Sequence, residues 1–458
     1  MTGLTTPWIG EGSTLIELLR ERARERPGHR LYTFLADGEE EAGVLSCGEL
    51  DVRARALGAL LRQVAAGEPV LLLFPPGAEF VTAFFGCLYG GAVAVPAYPP
   101  RARRVDSRLW SIFRDARPRV VLTTAAVLAR LAEVRERSPE LAAARWIAID
   151  DPAEVPSGLA DEWRDPGLEP GAVAFLQYTS GSTSSPKGVR VTHGNLLHNQ
   201  ALIQRAFRQT EESVVVGWLP LYHDMGLIGN VLQPLYSGAR CVLMSPWAFL
   251  QSPARWLRAI SRYRATTSGG PDFAYDLCVR KVRPEQRAGL DLSSWTVAFN
   301  GAEPVRAETL ERFAAAFAPC GFRREALYPC YGLAEATLFV TGGAPGEPPA
   351  TGPFEGRTLV ASGRPDDASL EVAIVEPESL ARRGEDEVGE IWLRGASVTG
   401  GYWSRPELTE ASFQAATAEG DGPYLRTGDL GFLRGGDLYV AGRLKDLIII
   451  RGRNHYPQ

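Results

Sequence analysis

The sequence predicts an α/β protein with two parallel-sheet α/β subdomains and a smaller β-rich subdomain. Over most of the chain, short continuous apolar runs alternate with helical stretches, which is typical of βαβ units whose sheet is buried on both faces. After about Ser362 the helical period fades, and short strand-like runs follow one another with glycine-rich turns between them. The length of 458 residues allows two to four units of ordinary domain size.

The first predicted element is a helix that begins after Thr14. Thr14 and Glu17 form a T-x-x-E capping box, and Pro27-Gly28 ends the helix. The rest of the first subdomain, predicted at 1–171, alternates strands with helices. Its predicted strands are Val70–Phe74, Ala92–Val95, Val120–Leu122 and Trp146–Ile149, and its clearest helix is Phe80–Leu88.

The second subdomain, predicted at 172–361, continues this alternation, and the third, predicted at 362–443, consists mainly of short strands. The strands predicted for the second subdomain are Ala172–Leu176, Val214–Val216, Cys241–Leu243 and Val297–Phe299. Those predicted for the third are Leu370–Val375, Gly389–Leu393 and Asp437–Val440. Between Thr341 and Gly356 proline and glycine are frequent, so we expect a loop there.

The composition excludes several classes of protein. Hydrophobic residues make up 45% of the chain and charged residues 22%, which is typical of a folded protein and not of a disordered one. The net charge of −5 argues against nucleic-acid binding, because neutralising phosphates takes a basic surface. Six cysteines without a C-x-x-C pair favour a reducing compartment, and we expect a cytoplasmic location. The apolar runs are too short to span a bilayer and no secretory signal is visible, so we expect no membrane insertion.

The segment YTSGSTSSPKG at 178–188 carries the clearest chemical signal. Its hydroxyl side chains, two glycines and one lysine suit a polyphosphate, because small residues let backbone N–H groups approach oxygen and the lysine supplies a charge. The segment is not a Walker A loop, since that pattern would need glycine at Pro186 and a hydroxyl at Gly188. The structural alternative is a flexible serine-glycine linker, but linkers rarely carry P-K-G followed by a strand and a helix.

Five further segments accompany this one in the order found in a known family. They are WLPLYHDMGLIG at 218–229, NGAEP at 300–304, YGLAEAT at 331–337, YLRTGDL at 424–430 and GRLKDLIII at 442–450. Together they resemble the motifs of the adenylate-forming enzymes, the ANL superfamily, which activate carboxylates with ATP. More narrowly, FLQYTSGST at 175–183, FAYDLC at 273–278 and CYGLAEATLFV at 330–340 are similar to fatty acyl-AMP ligases, which pass the acyl group to a carrier protein.

The resemblance implies ATP and Mg²⁺ as cofactors, with His223, Glu335 and Lys187 as catalytic residues. Glu335 is the implied Mg²⁺ ligand, Lys187 contacts the β- and γ-phosphates, and His223 steadies negative charge near the α-phosphate. We expect Asp429 in a Thr-Gly-Asp turn that meets the ribose hydroxyls, with Arg443 on the other side. The remaining implied nucleotide-binding residues are Thr179, Ser180, Gly181, Ser182, Thr183, Gly301, Ala302, Glu303, Tyr331, Gly332, Leu333 and Ala334.

The resemblance implies separate roles for several of these nucleotide-binding residues. Tyr331 is implied to stack on adenine, and Gly301 to Glu303 to form the strand edge beside the base. Ala334 stands where many members of the superfamily have threonine, and alanine offers no hydroxyl to the α-phosphate. Taken singly, a buried histidine or a tyrosine in a strand is more often part of the core, so these roles depend on the motifs.

The implied substrate is a fatty acid, and its chain needs an apolar tunnel. The candidate tunnel residues are Met225, Gly226, Leu227, Ile228, Phe273, Phe299 and Leu338, and plain core packing is the alternative for each. The stretch 341–363 occupies the place of an insertion that separates acyl-AMP ligases from CoA ligases, and it is loop-like and short. The implied partner is an acyl carrier protein with its phosphopantetheine thiol, in biosynthesis of the polyketide or lipopeptide type. A basic run at 101–104 is a candidate contact for that partner, with a solvated charged face as the alternative.

Family members continue past the hinge-like Lys445 into a small mobile lid. We therefore expect 1–443 to form a large adenylation domain and 444–458 to form the hinge and the start of a C-terminal domain that the chain lacks. Three alternatives stay open. The first is a fatty acyl-CoA ligase, which shares the first half-reaction, and the second is a non-catalytic platform that binds acyl adenylate. The third is a P-loop NTPase, against which Pro186 and Gly188 argue.

Overall fold

The chain forms two units that are interleaved along the sequence. Unit 1 comprises Met1–Leu197, Trp218–Ser245 and Tyr402–Ser404, and unit 2 comprises His198–Gly217, Pro246–Gly401 and Arg405–Gln458. The computed structural model describes residues 13–100, 107–179, 186–366, 369–446, 448–450 and 453–455. The basic run at 101–104 and the predicted site residues Ser180, Gly181, Ser182 and Thr183 lie outside the described residues.

The helices of the described residues are given in chain order. The α-helices are α1 Leu15–Glu25, α2 Cys47–Val64, α3 Ala78–Tyr89, α4 Ser107–Ala116, α5 Ala125–Arg130, α6 Ala132–Glu136, α7 Pro139–Ala143, α8 Leu159–Glu162, α9 His193–Phe207, α10 Gln233–Ser237, α11 Pro246–Gln251, α12 Ala254–Tyr263, α13 Asp272–Lys281, α14 Pro284–Arg287, α15 Ala307–Phe317 and α16 Pro406–Phe413. A π-helix spans Met225–Leu232, and 3₁₀ turns span Ala318–Cys320, Arg324–Ala326, Ala334–Ala336 and Leu444–Asp446.

The strands follow the same order. They are β1 Arg30–Ala36, β2 Glu40–Ser46, β3 Pro69–Leu73, β4 Val93–Ala97, β5 Val120–Thr123, β6 Arg145–Ala148, β7 Val173–Tyr178, β8 Gly188–Thr192, β9 Val214–Gly217, β10 Arg240–Met244, β11 Thr267–Gly270, β12 Val297–Asn300, β13 Leu327–Gly332, β14 Phe339–Gly342, β15 Thr351–Phe354, β16 Arg357–Val360, β17 Arg364–Pro365, β18 Leu370–Val375, β19 Gly389–Gly395, β20 Leu425–Arg434, β21 Asp437–Arg443, β22 Ile448–Ile450 and β23 Arg453–His455.

Unit 1 is built around a six-stranded sheet in the order β6-β5-β3-β4-β7-β8. All neighbours in it are parallel except β7 and β8, which are antiparallel. Strands β3, β4 and β5 are buried at every position, as continuous apolar runs predict. Helix α1 begins at the predicted capping box, in which Thr14 and Glu17 each bond the other's backbone N–H.

Unit 1 also contains a hairpin that the apolar pattern does not predict. Strands β1 and β2 are antiparallel, and β1 pairs in parallel with β10. The hairpin escapes a search for apolar runs because the first four residues of β2 are exposed. Asp37-Gly38, both with positive φ, is the turn signal that marks it in the sequence.

Unit 2 contains the parallel strands β9, β11, β12 and β13, in that order, followed by β14 and β17 in antiparallel orientation. A separate antiparallel sheet has the order β18-β19-β20-β21. A buried aromatic cluster of Trp256, Tyr275, Trp295 and Phe313 fixes α12, α13 and α15 in the core, with centroids of contacting rings 4.9 to 6.4 Å apart. Strands β15 and β16 form a hairpin of their own.

The α/β class with a small antiparallel β part is confirmed, and every predicted strand is present with its ends shifted by at most three residues. The loop expected between Thr341 and Gly356 is present at 343–350 but is wrong for the rest, because Thr351–Phe354 form β15, which pairs with β16 across Glu355-Gly356. Both turn residues have positive φ, as a two-residue hairpin turn requires.

The turn expected at Thr-Gly-Asp is also wrong, since Asp429 lies inside the ten-residue strand β20. Gly428, with φ of 72°, produces an irregularity within that strand instead of a turn.

The sheet of unit 1 extends past the predicted limit at 171/172. Strand β7 pairs with β4, and β8 pairs with β7, so both belong to the same sheet as β3 to β6. The subdomain limits at 171/172, 361/362 and 443/444, and the hinge at Lys445, stay predictions.

Candidate active site

In unit 1, the ends of β7 and β8 hold the predicted phosphate segment. Tyr178 is the register partner of Gly188, and the Thr179 N–H donates to the Lys187 carbonyl at 3.2 Å. Thr179 and Lys187, directly after β7 and directly before β8, are therefore held next to each other. Lys187 lies directly before strand β8, so the segment leads into a strand, whereas a Walker A loop leads directly into a helix.

Gly188 is required by packing on a neighbouring tyrosine. A Cβ at this position would lie 2.9 Å from Cζ of Tyr178, closer than such contacts allow. The Tyr178 hydroxyl donates to Asp115 at 2.8 Å, which holds the ring in place. Packing against Tyr178 thus explains why the residue after Lys187 is glycine, which the motif alone does not reveal.

Lys187 lies over an aromatic ring from a distant part of the chain. Its Nζ is 5.0 Å from the ring centroid of Tyr402, within the range of a cation–π contact. Tyr402 forms a β-bridge with Val189, and the Trp403 N–H donates to the Gly188 carbonyl at 2.7 Å. We did not identify Tyr402 from the sequence, because its role depends on this bridge.

His223 is paired with the residue that follows it. Its Nδ1 lies 2.5 Å from Oδ1 of Asp224, and the attraction of this carboxylate raises the pKa of His223 above its ordinary value. Asp224 Oδ1 also accepts from the Met225 N–H at 2.7 Å at the start of the π-helix. Asp224 therefore positions both the imidazole and the helix that carries the first candidate tunnel residues.

The π-helix Met225–Leu232 contains four of the tunnel candidates, and such helices often occur at functional sites. Leu227 and Ile228 are fully buried, and Met225 is 9% exposed. Gly226 has no room for a side chain, since a Cβ would lie 2.0 Å from the Pro220 carbonyl oxygen. In unit 2, Phe299 is buried, Leu338 is half-buried, and Phe273 is 43% exposed.

In unit 2, three predicted nucleotide-binding residues form one cluster. Asp429 and Arg443 are register partners on β20 and β21, with Arg443 Nε 3.2 Å from Asp429 Oδ1. The Tyr331 hydroxyl donates to Asp429 Oδ2 at 2.7 Å. Burial raises the pKa of the Asp429 carboxyl, and the contacts with Tyr331 and Arg443 oppose that shift.

Glu390 supports this cluster and was missed in the sequence. It is buried, and it accepts from Arg426 Nε and from Trp392 Nε1, both at 2.9 Å. Its other oxygen accepts from the Gly428 N–H at 3.0 Å, which fixes the irregularity next to Asp429. The Asp429 N–H donates to the Thr427 hydroxyl at 3.1 Å. The effect of Glu390 on Asp429 depends on contacts across strands, which no local sequence motif reveals.

Glu335 lies on the 3₁₀ turn Ala334–Ala336, which leads into a strained turn at Thr337. Thr337 has φ of 70° and ψ of −64°, and the Leu338 N–H donates to the Ala336 carbonyl at 2.8 Å, which is a γ-turn of the rare positive-φ type. The Thr399 N–H donates to the Glu335 carbonyl at 2.9 Å. Gly332 belongs to the same segment, and a Cβ there would lie 1.8 Å from the Leu338 carbonyl oxygen.

A buried polar network clamps this turn. The Asn199 side chain donates to the Phe339 carbonyl at 2.8 Å and accepts from the Phe339 N–H at 3.0 Å. It also donates to the Ser397 hydroxyl at 3.0 Å, while the Thr337 hydroxyl donates to the Ser397 carbonyl at 2.7 Å. Backbone strain of about 1–3 kcal/mol persists only where such surroundings hold it.

Gly301, Ala302 and Glu303 follow directly after β12. A Cβ at Gly301 would lie 2.8 Å from the Cys330 carbonyl oxygen, and Ala302 has φ of 69°. Glu303 accepts from the Phe273 N–H at 2.7 Å, at the start of α13. The segment is thus fixed beside β13, which carries Tyr331 near its end.

His193 and His198 make contacts that stabilise the fold. His193 is buried, accepts from the Leu15 N–H at 3.2 Å through Nδ1, and has its pKa lowered to about 4 by burial. His198 contacts the Ser397 hydroxyl at 2.8 Å.

Among the described residues, no group of three or more His, Cys, Asp or Glu is arranged to hold a metal ion. No helix in the described part of the chain is both long and apolar enough to cross a membrane.

Comparison with known proteins shows the family to which the chain belongs. Residues 19–403 match the family of AMP-binding enzymes. A medium-chain fatty acid–[acyl-carrier-protein] ligase, JamA of Moorena producens, is 48% identical over 98% of this chain and 79% of its own length. A second ligase with that description, TtuA of Teredinibacter turnerae, is 38% identical with the same coverage.

A solved structure is also similar. The fatty acyl-adenylate ligase of L. pneumophila, crystallised with acyl adenylate and pyrophosphate, superimposes with a TM-score of 0.88 at 44% identity, covering 97% of this chain and 79% of that one. The chain is thus an ATP-dependent, AMP-forming ligase that belongs to the AMP-binding enzyme family, among the fatty acyl-AMP ligases of the adenylate-forming superfamily.

Proposed function

We propose that this ligase activates a fatty acid with ATP to give acyl-AMP and pyrophosphate, and then transfers the acyl group to the phosphopantetheine thiol of an acyl carrier protein. The observation that carries the proposal is the 48% identity to a relative described as a medium-chain fatty acid–[acyl-carrier-protein] ligase. A medium-chain fatty acid is therefore the first substrate to test. Biosynthesis of the polyketide or lipopeptide type is the proposed setting, and the cytoplasm is the proposed location.

In the first step, a carboxylate oxygen attacks the α-phosphorus of ATP, and the bond to the β-phosphate oxygen breaks. Two anions meet, so catalysis is mainly positioning and stabilisation of charge. We assign Lys187, with Thr179 and the segment 180–183, to the β- and γ-phosphates. We assign His223 to the negative charge that develops near the α-phosphate, a role supported by the raised pKa that Asp224 produces.

We assign the cluster in unit 2 to the nucleoside. The Asp429 carboxylate accepts from the ribose hydroxyls, and Arg443 lies at 3.2 Å from it to contact the ribose or the α-phosphate. Tyr331 holds Asp429 through its hydroxyl, which leaves the face of its ring for adenine. Gly301 to Glu303 and Gly332 to Ala334 supply the backbone edge beside the base.

Glu335 is the residue that we propose for Mg²⁺. A site with one protein carboxylate suits this ion, which usually keeps one or two carboxylates together with substrate phosphates and water. When bound, the ion supplies positive charge to the phosphates. The contribution of the protein is the clamped turn, which fixes the backbone of Glu335.

In the second step, the thiolate sulfur attacks the acyl carbonyl carbon and AMP leaves. The tunnel residues of the π-helix, with Phe273, Phe299 and Leu338, are the proposed contacts of the acyl chain. The domain limits at 1–443 and 444–458, with Lys445 as hinge, complete the proposal.

The test is mass-spectrometric detection of acyl-AMP over a series of fatty acids, followed by addition of CoA or of a holo-carrier protein. We expect acyl-AMP with medium-chain acids and transfer to the carrier. Efficient formation of acyl-CoA, without transfer to the carrier, would establish the CoA-ligase alternative instead. No acyl-AMP with any acid would support the non-catalytic alternative, and ADP as product would contradict adenylate chemistry altogether.

A further inference from the structure

Helix α11 exposes two large apolar side chains next to one another. Trp247 is 55% exposed and Leu250 is 46% exposed, three residues apart on the helix. Ala248 and Phe249, between them, are buried. The helix therefore has an inner face in the core and an outer apolar face in water. Exposed apolar patches of this kind often mark interaction sites.

Helix α12 carries a row of arginines beside this patch. Arg255, Arg258 and Arg262 follow the i, i+3, i+7 spacing that places them on one side of the helix, and Arg258 and Arg262 are exposed. Trp256 and Leu257 are buried on the other side. Together, Trp247, Leu250, Arg255, Arg258 and Arg262 form what we call the Trp–Arg face.

The two helices present this face as one surface. Arg255 donates to the Gln251 side chain at 3.2 Å, which links the outer side of α11 to that of α12. The Phe249 and Trp256 rings are 5.5 Å apart on the inner side. The apolar and the basic parts of the face are therefore held next to each other by contacts on both sides.

The charge of the face is unusual for this chain. The net charge of the whole sequence is −5, yet no Asp or Glu occurs between Asp224 and Asp272, a stretch that contains five arginines. A cationic surface with an apolar centre is complementary to an anionic partner that has an exposed apolar side chain. Trp and Arg are also the residue types most often found at the energetic centres of protein interfaces.

The face begins at the edge of unit 2 that carries the nucleotide-binding residues. Helix α12 runs back toward the start of β11, and Trp256 donates to the Ser268 hydroxyl at 2.8 Å on that strand. The beginning of α12 therefore lies toward the carboxyl ends of the parallel strands. Gly301 follows the carboxyl end of β12, and Tyr331 lies near that of β13.

We propose that the Trp–Arg face is the docking surface for the acyl carrier protein, and this rests on the proposed function. Acidic side chains of the carrier meet the three arginines, and an apolar side chain covers Trp247 and Leu250. Charge complementarity of this kind mainly sets the association rate and the salt dependence of binding. The position of the face at the substrate edge fits a partner that delivers a thiol on a flexible arm.

The experiment measures transfer from acyl-AMP to a bacterial holo-acyl carrier protein, and in parallel to free pantetheine, which lacks the docking surface. The triple variant Arg255→Glu, Arg258→Glu, Arg262→Glu and the single variant Trp247→Ala are compared with the unmodified chain. We expect kcat/KM for the carrier to fall about 10-fold to 100-fold in the triple variant, with loss of its salt dependence. Transfer to pantetheine and pyrophosphate exchange stay unchanged, which also shows that the variants are folded.

A matched control reverses three exposed arginines elsewhere, in the variant Arg119→Glu, Arg137→Glu, Arg145→Glu, and leaves transfer to the carrier unchanged. Equal kcat/KM for the carrier in all variants would overturn the docking surface while leaving the proposed function in place. If the unmodified chain transfers the acyl group to CoA but not to any carrier protein, both the docking surface and the proposed function are overturned. Salt-dependent binding to phosphatidylglycerol vesicles through Trp247, with normal transfer to the carrier, would assign the face to a lipid surface instead.

Discussion

The cluster of Tyr331, Asp429 and Arg443 in unit 2 and the predicted phosphate segment in unit 1 are organised in different ways. Asp429 is buried and has direct contacts with Tyr331 and Arg443, and Glu390 holds the strand irregularity beside it. Lys187 is half-buried, and its charge lies over the Tyr402 ring without an ion pair to any residue that the structure describes. We therefore expect that the protein holds the groups proposed for nucleoside binding in place, and that the phosphates of ATP neutralise the charge of Lys187.

The largest effect is expected from Lys187→Met. Removing this charge should lower kcat for acyl-AMP formation by about 10²-fold to 10³-fold, the range found when one preorganised stabiliser of developing charge is lost. The free energy of unfolding should change by no more than about 1 kcal/mol, because only a cation–π contact with Tyr402 is lost. Pyrophosphate exchange measures the loss of activity, and thermal unfolding measures the change in stability.

The matched control for that variant is Arg190→Met, which removes an exposed cation three residues further along the chain, on strand β8. It should leave pyrophosphate exchange unchanged. Equal losses in both variants would mean that general charge, and not the position of Lys187, determines the rate.

The next effect is expected from Asp429→Asn, which keeps the shape of the side chain but removes its charge. Hydrogen bonds to charged groups contribute about 1.5–3 kcal/mol, so the dissociation constant for adenosine should rise about 10-fold to 100-fold. Equilibrium binding of adenosine measures this. Asp437→Asn, on the neighbouring strand β21, is the control that should bind adenosine normally, and unchanged binding by Asp429→Asn would remove Asp429 from the site.

The pH dependence of kcat/KM for ATP tests the role that we propose for His223. Asp224 raises the pKa of His223, so the imidazolium persists to higher pH than for an ordinary histidine and is lost as the pH rises through the raised value. Asp224→Asn removes that attraction while its amide oxygen still accepts from the Met225 N–H. The alkaline fall of kcat/KM for ATP should therefore move to lower pH. A profile that keeps its position would show that the charge on His223 does not matter to the reaction.

The smallest effect is expected from Tyr331→Phe, which keeps the ring and removes the hydrogen bond to Asp429. One such bond contributes about 0.5–1.5 kcal/mol, so the dissociation constant for adenosine should rise only a few-fold. Tyr331→Ala, which also removes the ring, should weaken binding further. Equal binding by the two variants would exclude the ring from contact with adenine.

The sequence predicts the buried parts of the fold well and the exposed parts poorly, for a physical reason. Strands β3, β4 and β5 are buried throughout, so their side chains form continuous apolar runs that can be read directly. Strand β2 is largely exposed, and β15 contains glycine and proline, so neither has an apolar run. Their turns, Asp37-Gly38 and Glu355-Gly356, were the available signals.

The candidate site shows the same limit. Residues in motifs, such as Asp429 and Arg443, were predicted, and the structure places them as register partners. Asn199, Glu390 and Tyr402 were not predicted, because each acts through a hydrogen bond or ring contact with a motif residue far away in the sequence. The strained turn at Thr337 escapes prediction because a β-branched residue rarely adopts positive φ.

The most direct test of the difference between the two regions is equilibrium binding of adenosine to Lys187→Met, measured beside its formation of acyl-AMP. Adenosine has no phosphate, so its affinity tests only the contacts that we propose for Tyr331, Asp429 and Arg443. We expect the variant to bind adenosine as the unmodified chain does, while its acyl-AMP formation falls about 10²-fold or more. A loss of adenosine affinity as large as that of Asp429→Asn would contradict this expectation.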